Sequence, residues 1–159
     1  MKIKVGFGFD VHQLKEGCAF WLGGIEIAHY KGAVGHSDAD VLIHAICDAL
    51  LGAANLRDIG FHYSDKSTEF KGIDSKILLK RTVDLINNKG YNISNIDTTI
   101  CLQKPKISPF IPLMQKTLAE VIGIETEDIS IKATTTEKLG FEGREEGVSA
   151  YAVVLIQKD

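Results

Sequence analysis

The chain has 159 residues, 45% of them hydrophobic and 25% charged, with a net charge of −3. That length and balance suit a single domain, residues 1–159, with a real core. The lack of a basic excess argues against nucleic-acid binding, and no run approaches the roughly 18 apolar residues of a membrane span. Three scattered cysteines, Cys18, Cys47 and Cys101, form no CxxC pair and suit reduced thiols rather than a disulfide framework. The opening MKIKVGFGFDVHQL lacks the apolar run and cleavage site of a signal peptide, and no plastid transit segment is present, so a bacterial cytoplasm is the expected location.

Residues 3–12, rich in β-formers, predict a strand, and 19–28 predict a hairpin or bent strand around Gly23-Gly24. A helix is expected from Ser37, read as its N-cap, with Asp40 three residues on as in a capping box and Ala45, Ala49, Leu50, Leu51, Ala53 and Ala54 favouring it. Residues 55–73 read as a loop. A second helix starts near Asp74 and stops at Gly90, 95–103 predict a strand, and a third helix follows Ser108-Pro109 and ends near Gly123. Strands at 128–134 and 147–157 complete the chain and are close enough in sequence to pair directly. Together these predict an α+β fold: a mixed four-stranded sheet with helices on one face, plus a β-hairpin.

His36, Asp40, His44 and Asp48 punctuate the helical stretch HSDADVLIHAICDALLGAA at intervals of four. Positions so spaced share a face, and the rest of the helix is apolar, so most of it is expected to be buried. Unpartnered buried charge costs several kcal/mol per ion, roughly, so the polar stripe must meet water, another charge or a metal. A solvent face, or a hydrogen-bonded structural histidine at 44, explains it as well. Asp10 and His12 are two apart and point the same way on a strand. With His44 they offer one carboxylate and two imidazoles, and no fourth ligand stands out. Catalytic zinc sites keep a position open, so a metal held here would suit catalysis; a solvated strand face is the plainer reading.

Two further stretches suit anions. In KATTTEKLGFEGREEG, three threonines and Glu137 follow a strand end, where hydroxyls and free N–H groups suit phosphate oxygens and Glu137 suits Mg²⁺. An ordinary polar turn fits too. In QKPKISPFIP, two lysines flank a proline ahead of a helix start, which suits an anion or a solvated loop.

The order GFDVH, then GHSDADVLIHAICDALLGAANLRDIG, then KATTTEKLGFEGR closely resembles the 2-C-methyl-D-erythritol 2,4-cyclodiphosphate synthase family of the non-mevalonate isoprenoid route, over nearly the whole chain. The resemblance implies zinc on Asp10, His12 and His44. It implies that His36 and Ser37 touch the substrate diphosphate, and that Asp58, Gly60 and Asp65 surround the methylerythritol part. It gives Lys106, the 102–108 backbone, Ala133, Thr134, Thr135 and Thr136 to the cytidine nucleotide and its phosphates. Glu137 is implied as the Mg²⁺ or Mn²⁺ ligand, with His36, Thr135 and Glu137 acting in catalysis and Phe141 and Arg144 also on the substrate side. Homotrimers with active sites between subunits are implied as well, with Arg144 and Glu146 near a central cavity. The chain departs from the family in FHYSD, where a Phe-Pro-Asp-like run is common, at Glu145, where a small residue is common, and at Leu102 and Ser108.

The implied reaction is intramolecular: the 2-phosphate attacks the β-phosphorus and CMP leaves, with no protein nucleophile. Two other classes remain open, a zinc phosphodiesterase using metal-bound water and a non-catalytic module binding a nucleotide or isoprenoid.

Overall fold

The computed structural model describes residues 1–159. Its frame is a long antiparallel pair: β1 (Lys2–Glu16) runs against β7 (Gly147–Lys158), in register from Lys2↔Lys158 to Gln13↔Gly147. Two short strands, β2 (Trp21–Leu22) and β3 (Ile25–Glu26), form the predicted hairpin around Gly23-Gly24. The remaining strands are β4 (Lys31–Val34), β5 (Asn92–Cys101) and β6 (Ile129–Thr134). The main sheet has five strands in the order β4-β1-β7-β5-β6.

That order corrects two expectations. The sheet has five strands rather than four, because KGAV pairs with the distal end of β1, Gln13↔Val34 to Glu16↔Lys31. A four-residue strand containing glycine carries no readable alternation. The last two strands also do not pair with each other. β6 lies parallel to β5 at the sheet edge, and β7 inserts between β1 and β5. A parallel neighbour needs a crossover, and the helix between β5 and β6 supplies it. β7 buries Val148, Ala150, Ala152, Val154 and Ile156 along one face, so the centre is where it gains most.

The helices are α1 (Val41–Ala53), a short α2 (Ile59–His62), α3 (Ser75–Asn88), α4 (Ile111–Ile122) and a single turn, α5 (Gly140–Gly143). The stretch read as a loop thus holds α2 and a further turn at Thr68–Phe70. Gly90 and Gly123 end α3 and α4 with positive φ, as expected of C-terminal glycines.

α1 lies directly on β1 and β7. A side chain at Gly6 or Gly8 would come within 1.9 Å of a backbone oxygen of α1, Ala49 and Ala45 respectively. The alternating glycines of GFGFDVH are therefore what lets this helix approach. The opposite face of the same strands carries Val5, Phe7, Phe9, Val11, Tyr151 and Val153, all exposed, with the Phe9 and Tyr151 rings 5.1 Å apart. No helix is long and apolar enough to cross a membrane.

The N-cap of α1 is Asp40 rather than Ser37: its carboxylate accepts from Ile43 N–H at 3.1 Å. The same carboxylate accepts from Gly23 and Gly24 N–H at 3.0 and 2.7 Å, tying the β2–β3 hairpin to the helix start. Asp40 is completely buried. Its partners are all backbone donors, which is what makes a buried carboxylate tolerable.

Candidate active site

Gly6, Gly8, Asp10 and His12 share one parity of β1, so the residues that admit α1 also aim Asp10 and His12 at it. His44 projects from α1 to meet them. His12 Nε2 and His44 Nδ1 lie 2.9 and 3.0 Å from Asp10 Oδ2 and 3.1 Å from each other. The three side chains form a group whose ligand atoms all fall within 4.8 Å, the one such cluster in the chain.

The far side of each imidazole is held. His12 Nδ1–H donates to the Val34 carbonyl at 2.9 Å; because a carbonyl only accepts, neutral His12 presents its Nε2 lone pair to Asp10. This links the unforeseen strand β4 to the site. His44 Nε2 lies 2.9 Å from Ser75 Oγ and 3.1 Å from Ser37 Oγ. The His12 Nε2 lone pair thus faces the Asp10 carboxylate, with His44 Nδ1 beside both, and a proton or a cation between them resolves the repulsion. Burial pushes the Asp10 carboxyl up, but the His12 and His44 rings, which donate to it when protonated, outweigh this and hold the pKa at about 2. Burial pushes the His12 pKa down, and the Asp10 carboxylate more than offsets this, so His12 titrates above its ordinary value. Two imidazoles and one carboxylate with a side open to a cavity form a donor set suited to zinc with a free position.

The triad opens into a cavity of about 350 Å³ lined by His36, Ser37, Gly60, Tyr63, Asp65 and Phe70, among others. Several expected residues therefore meet here: Asp10, His12, His44, His36, Ser37, Gly60 and Asp65. His36 Nε2–H donates to the Ser67 carbonyl at 2.9 Å, and the Gly72 N–H donates back to the His36 carbonyl at 2.7 Å. His36 thereby ties down the segment that bounds the cavity. Asp58 caps α2, accepting from Phe61 N–H at 2.9 Å, and so sets the path of Ile59 and Gly60 along the cavity wall.

A second cavity, about 330 Å³, is lined by Leu102, Gln103, Lys106, Ile107, Ser108, Ala133, Thr134 and Thr135, among others. It gathers Lys106, Ala133, Thr134 and Thr135 of the expected nucleotide residues, leaves Thr136 outside its lining, and shares no lining residue with the first. The register explains the separation: Asp10 lies opposite Ala150, Ala150 opposite Ile100, and Ile100 opposite Ala133. Three strand spacings place Asp10 and Ala133 about 14 Å apart across the sheet. The threonines bond locally. Thr134 Oγ1 donates to the Thr135 carbonyl, Thr136 Oγ1 to the Leu139 carbonyl, and Thr135 Oγ1 accepts from Glu137 N–H. Glu137 and Lys138 both have positive φ and both are exposed; Glu137 forms no ion pair. Arg144 forms a two-pronged pair with Glu146, 3.0 and 3.1 Å, on the surface. Phe141 lies against Gly147 in a shallow depression shared with His12.

The polar stripe of α1 divides into three jobs. His44 belongs to the triad. Asp40 is a buried structural cap and does not face the cavity. Asp48 accepts from Ile59 N–H at 2.7 Å, fixing α2 against α1. Burial raises the Asp48 pKa against that hydrogen bond, and Asp58 raises it further. Neither acid lines the cavity that His44 faces. Cys47 is buried with its thiol pushed up to about 12, so it provides no thiolate nucleophile. Asp38, Ser75 and Val34 were not signalled by sequence. Each acts through a partner more than 20 residues away, which local spacing does not reveal.

A model of the YgbB family matches residues 3–157. A Bacteroides thetaiotaomicron protein named 2-C-methyl-D-erythritol 2,4-cyclodiphosphate synthase is 70% identical over 159 residues, all of both chains. A Bacteroides fragilis protein of the same name is 71% identical over 158 residues, 99% of each. Among solved structures, Plasmodium falciparum IspF in complex with CDP superposes with a TM-score of 0.87 at 34% identity, covering 99% of this chain and 97% of that one. The bifunctional IspDF of Campylobacter jejuni superposes with a TM-score of 0.95 at 41% identity; the match covers 99% of this chain and 43% of that one.

Proposed function

The chain belongs to the YgbB family, and from that premise we infer that its site carries out the reaction for which its relatives are named. It converts 4-diphosphocytidyl-2-C-methyl-D-erythritol 2-phosphate to 2-C-methyl-D-erythritol 2,4-cyclodiphosphate and CMP, a step of the non-mevalonate isoprenoid route. A cytoplasmic location goes with a nucleotide-linked substrate. The observation that carries the reading is the full-length likeness to proteins of that name; the triad beside a cavity supplies its chemistry.

Asp10, His12 and His44 are the residues that would hold zinc, and Glu137 the one that would hold Mg²⁺ or Mn²⁺. A lone, unpaired carboxylate near phosphate-binding hydroxyls fits a cation that keeps several waters and shares phosphate oxygens. Bound there, the ions supply Lewis acidity and charge neutralisation toward the diphosphate. The chain's own residues do the rest by positioning. His36 and Ser37, which line the first cavity with the triad, would contact the diphosphate. Gly60, Asp65 and the Asp58-capped turn enclose the methylerythritol end. Lys106, Ala133 and Thr134–Thr136 receive the cytidine nucleotide, with Phe141 and Arg144 flanking the loop. An oxygen of the 2-phosphate attacks the β-phosphorus; the bond from that phosphorus to the bridging oxygen breaks, and CMP leaves with the oxygen. No protein atom becomes covalently attached, so catalysis rests on alignment and charge stabilisation.

The substrate carries its nucleotide and its methylerythritol at opposite ends, and the two cavities of one chain are separate. The exposed apolar face of β1 and β7 is of a kind that marks association surfaces. Both features support a homotrimer whose active sites lie between subunits. Phosphorus NMR of the protein with substrate and Mg²⁺ tests the reading. A cyclic diphosphate forming in step with CMP supports it. CMP with a linear bisphosphate carrying oxygen from labelled water would make the chain a hydrolase, and tight CDP binding without turnover would make it a binding module.

A further inference from the structure

We propose that Asp38, acting through Ser75, is a positioning residue that fixes the tautomer of His44, so that its Nδ1 lone pair faces Asp10 and His12. The inference rests on the metal reading of the triad.

The argument is one of proton accounting. Ser75 is fully buried, and its hydroxyl has a single proton to give. Two atoms compete for it. Asp38 Oδ1 lies 2.5 Å from Ser75 Oγ, and His44 Nε2 lies 2.9 Å away. A carboxylate can only accept, so the proton goes to Asp38. Ser75 Oγ then meets His44 with a lone pair, and His44 Nε2 must carry the hydrogen. A neutral imidazole protonated at Nε2 has its lone pair at Nδ1, the atom 3.0 Å from Asp10 Oδ2.

Ser37 does not make this choice. Its Oγ is 3.1 Å from His44 Nε2 and accepts from Ala39 N–H at 3.2 Å, so its own proton is free to serve either tautomer. Asp38 leaves one. Its carboxylate is itself fixed from two sides, by Ser75 N–H on Oδ2 at 2.9 Å and Asp40 N–H on Oδ1 at 3.1 Å. The chain of bonds runs from the loop before α1, through the first residue of α3, back to α1. It holds the ring of His44 in orientation as well as in protonation. Such outer partners of histidine ligands commonly set both.

Two variants separate this from a plain structural role. Ser75→Ala removes the relay but keeps both backbone N–H groups on Asp38. Asp38→Ala keeps the Ser75 hydroxyl against His44 but frees its proton. Nitrogen NMR of the metal-free, full-length protein reads the tautomer directly. The wild type is expected to show His44 protonated at Nε2, and Asp38→Ala to shift the population toward Nδ1–H. Zinc titration against a chromophoric chelator is expected to show affinity lowered about 10- to 100-fold in each variant, with the double variant no worse than either single one. Unchanged tautomer signals and unchanged zinc affinity in Ser75→Ala would overturn the inference, leaving Asp38 as a loop staple only. If the wild type takes up no zinc, the metal reading fails, and the nitrogen spectra still decide the tautomer.

Discussion

Around Asp10, His12 and His44 each imidazole is fixed on its far side by a different element, β4 for one and the start of α3 for the other. Around Thr134–Glu137 the hydroxyls bond to backbone groups one to three residues away in their own loop. The first region is assembled by folding, because its residues sit on core elements whose packing leaves them little freedom. The second is a loop with two consecutive non-glycine residues at positive φ and an exposed carboxylate. It is organised well enough to receive a ligand but is not closed by its own chain. On the proposed reading, the preformed triad is the metal side and the open loop the nucleotide side, which suits a reaction in which one end of the substrate is clamped and the other is completed by a neighbouring copy.

The largest effect expected from breaking this arrangement is at the metal side. His44→Ala should abolish zinc uptake and lower activity by three orders of magnitude or more, since metal charge stabilisation is worth several kcal/mol and ~1.4 kcal/mol is tenfold. Metal analysis alongside the phosphorus assay checks it; a fully active, zinc-free variant would remove the triad from the mechanism. Phe7→Asp probes the other half of the contrast. Phe7 is 63% exposed in the single chain, so the fold should tolerate the charge. On the trimer reading, losing an apolar anchor costs about 2 kcal/mol or more, so association and turnover should fall at least about 30-fold while zinc stays bound. Sedimentation reads the first and metal analysis the last; an active monomer would show that one chain completes its own site.

Glu137→Ala should act on one side only. Losing a charged hydrogen-bonding or ligating partner is worth about 1.5–3 kcal/mol, roughly 10- to 100-fold. That factor should appear in the Mg²⁺ concentration needed for half-maximal rate, with zinc content unchanged; equal loss of both metals would argue against two separate sites. A smaller, graded effect comes from pH. His12 titrates above its ordinary value because of Asp10, so protons compete with the metal at that ring. Zinc affinity should fall about tenfold per pH unit below the His12 pKa, whereas Asp10, at about 2, stays ionised throughout. The sign reverses for stability of the metal-free chain. A raised His12 pKa stabilises the fold below its unfolded value of 6.5 and loses that contribution as pH rises through the folded value. The lowered Asp10 pKa stabilises it above 3.8 and is lost as pH falls toward about 2. Thermal scans of metal-free protein should therefore weaken on both sides of that interval.

The same contrast explains what the sequence disclosed. Asp10 and His12 were legible because strand parity is strict, and His44 because the helical stretch was strongly apolar. The parallel β5–β6 pair, the insertion of β7 and the edge strand β4 depend on long-range choices that local periodicity does not encode. The polar stripe of α1 misled in one respect: a spacing of four put Asp40 in phase with His44, yet Asp40 sits one residue before the helix, where its carboxylate is consumed by three N–H groups. The Asp38–Ser75 link was invisible because its partners are 37 residues apart. The threonine motif marked the loop at 134–137, but nothing in it showed that the loop stands about three strand spacings from the triad.

Glu145 offers the finest test, since it joins the two regions' surroundings without belonging to either. It holds φ at +59°, a conformation that costs a non-glycine residue about 1–2 kcal/mol. Its Oε1 is buried without a hydrogen bond and lies 3.8 Å from Lys104 Nζ, beside the nucleotide cavity. A surface-type ion pair at that distance contributes roughly 0–1 kcal/mol. Glycine would relieve the backbone and the orphaned oxygen, lose the pair, and add some chain entropy to the unfolded state, about 0.5–1 kcal/mol against it. The Lys31 ammonium bonds the Glu145 carbonyl rather than its side chain, so that link survives the change. Glu145→Gly should therefore shift the melting temperature upward by no more than a few degrees, with zinc affinity unchanged, because no part of the triad leans on it. A clear loss of stability would mean that the Lys104 pair outweighs the strain, and that the nucleotide side is more firmly braced than its exposed loop suggests.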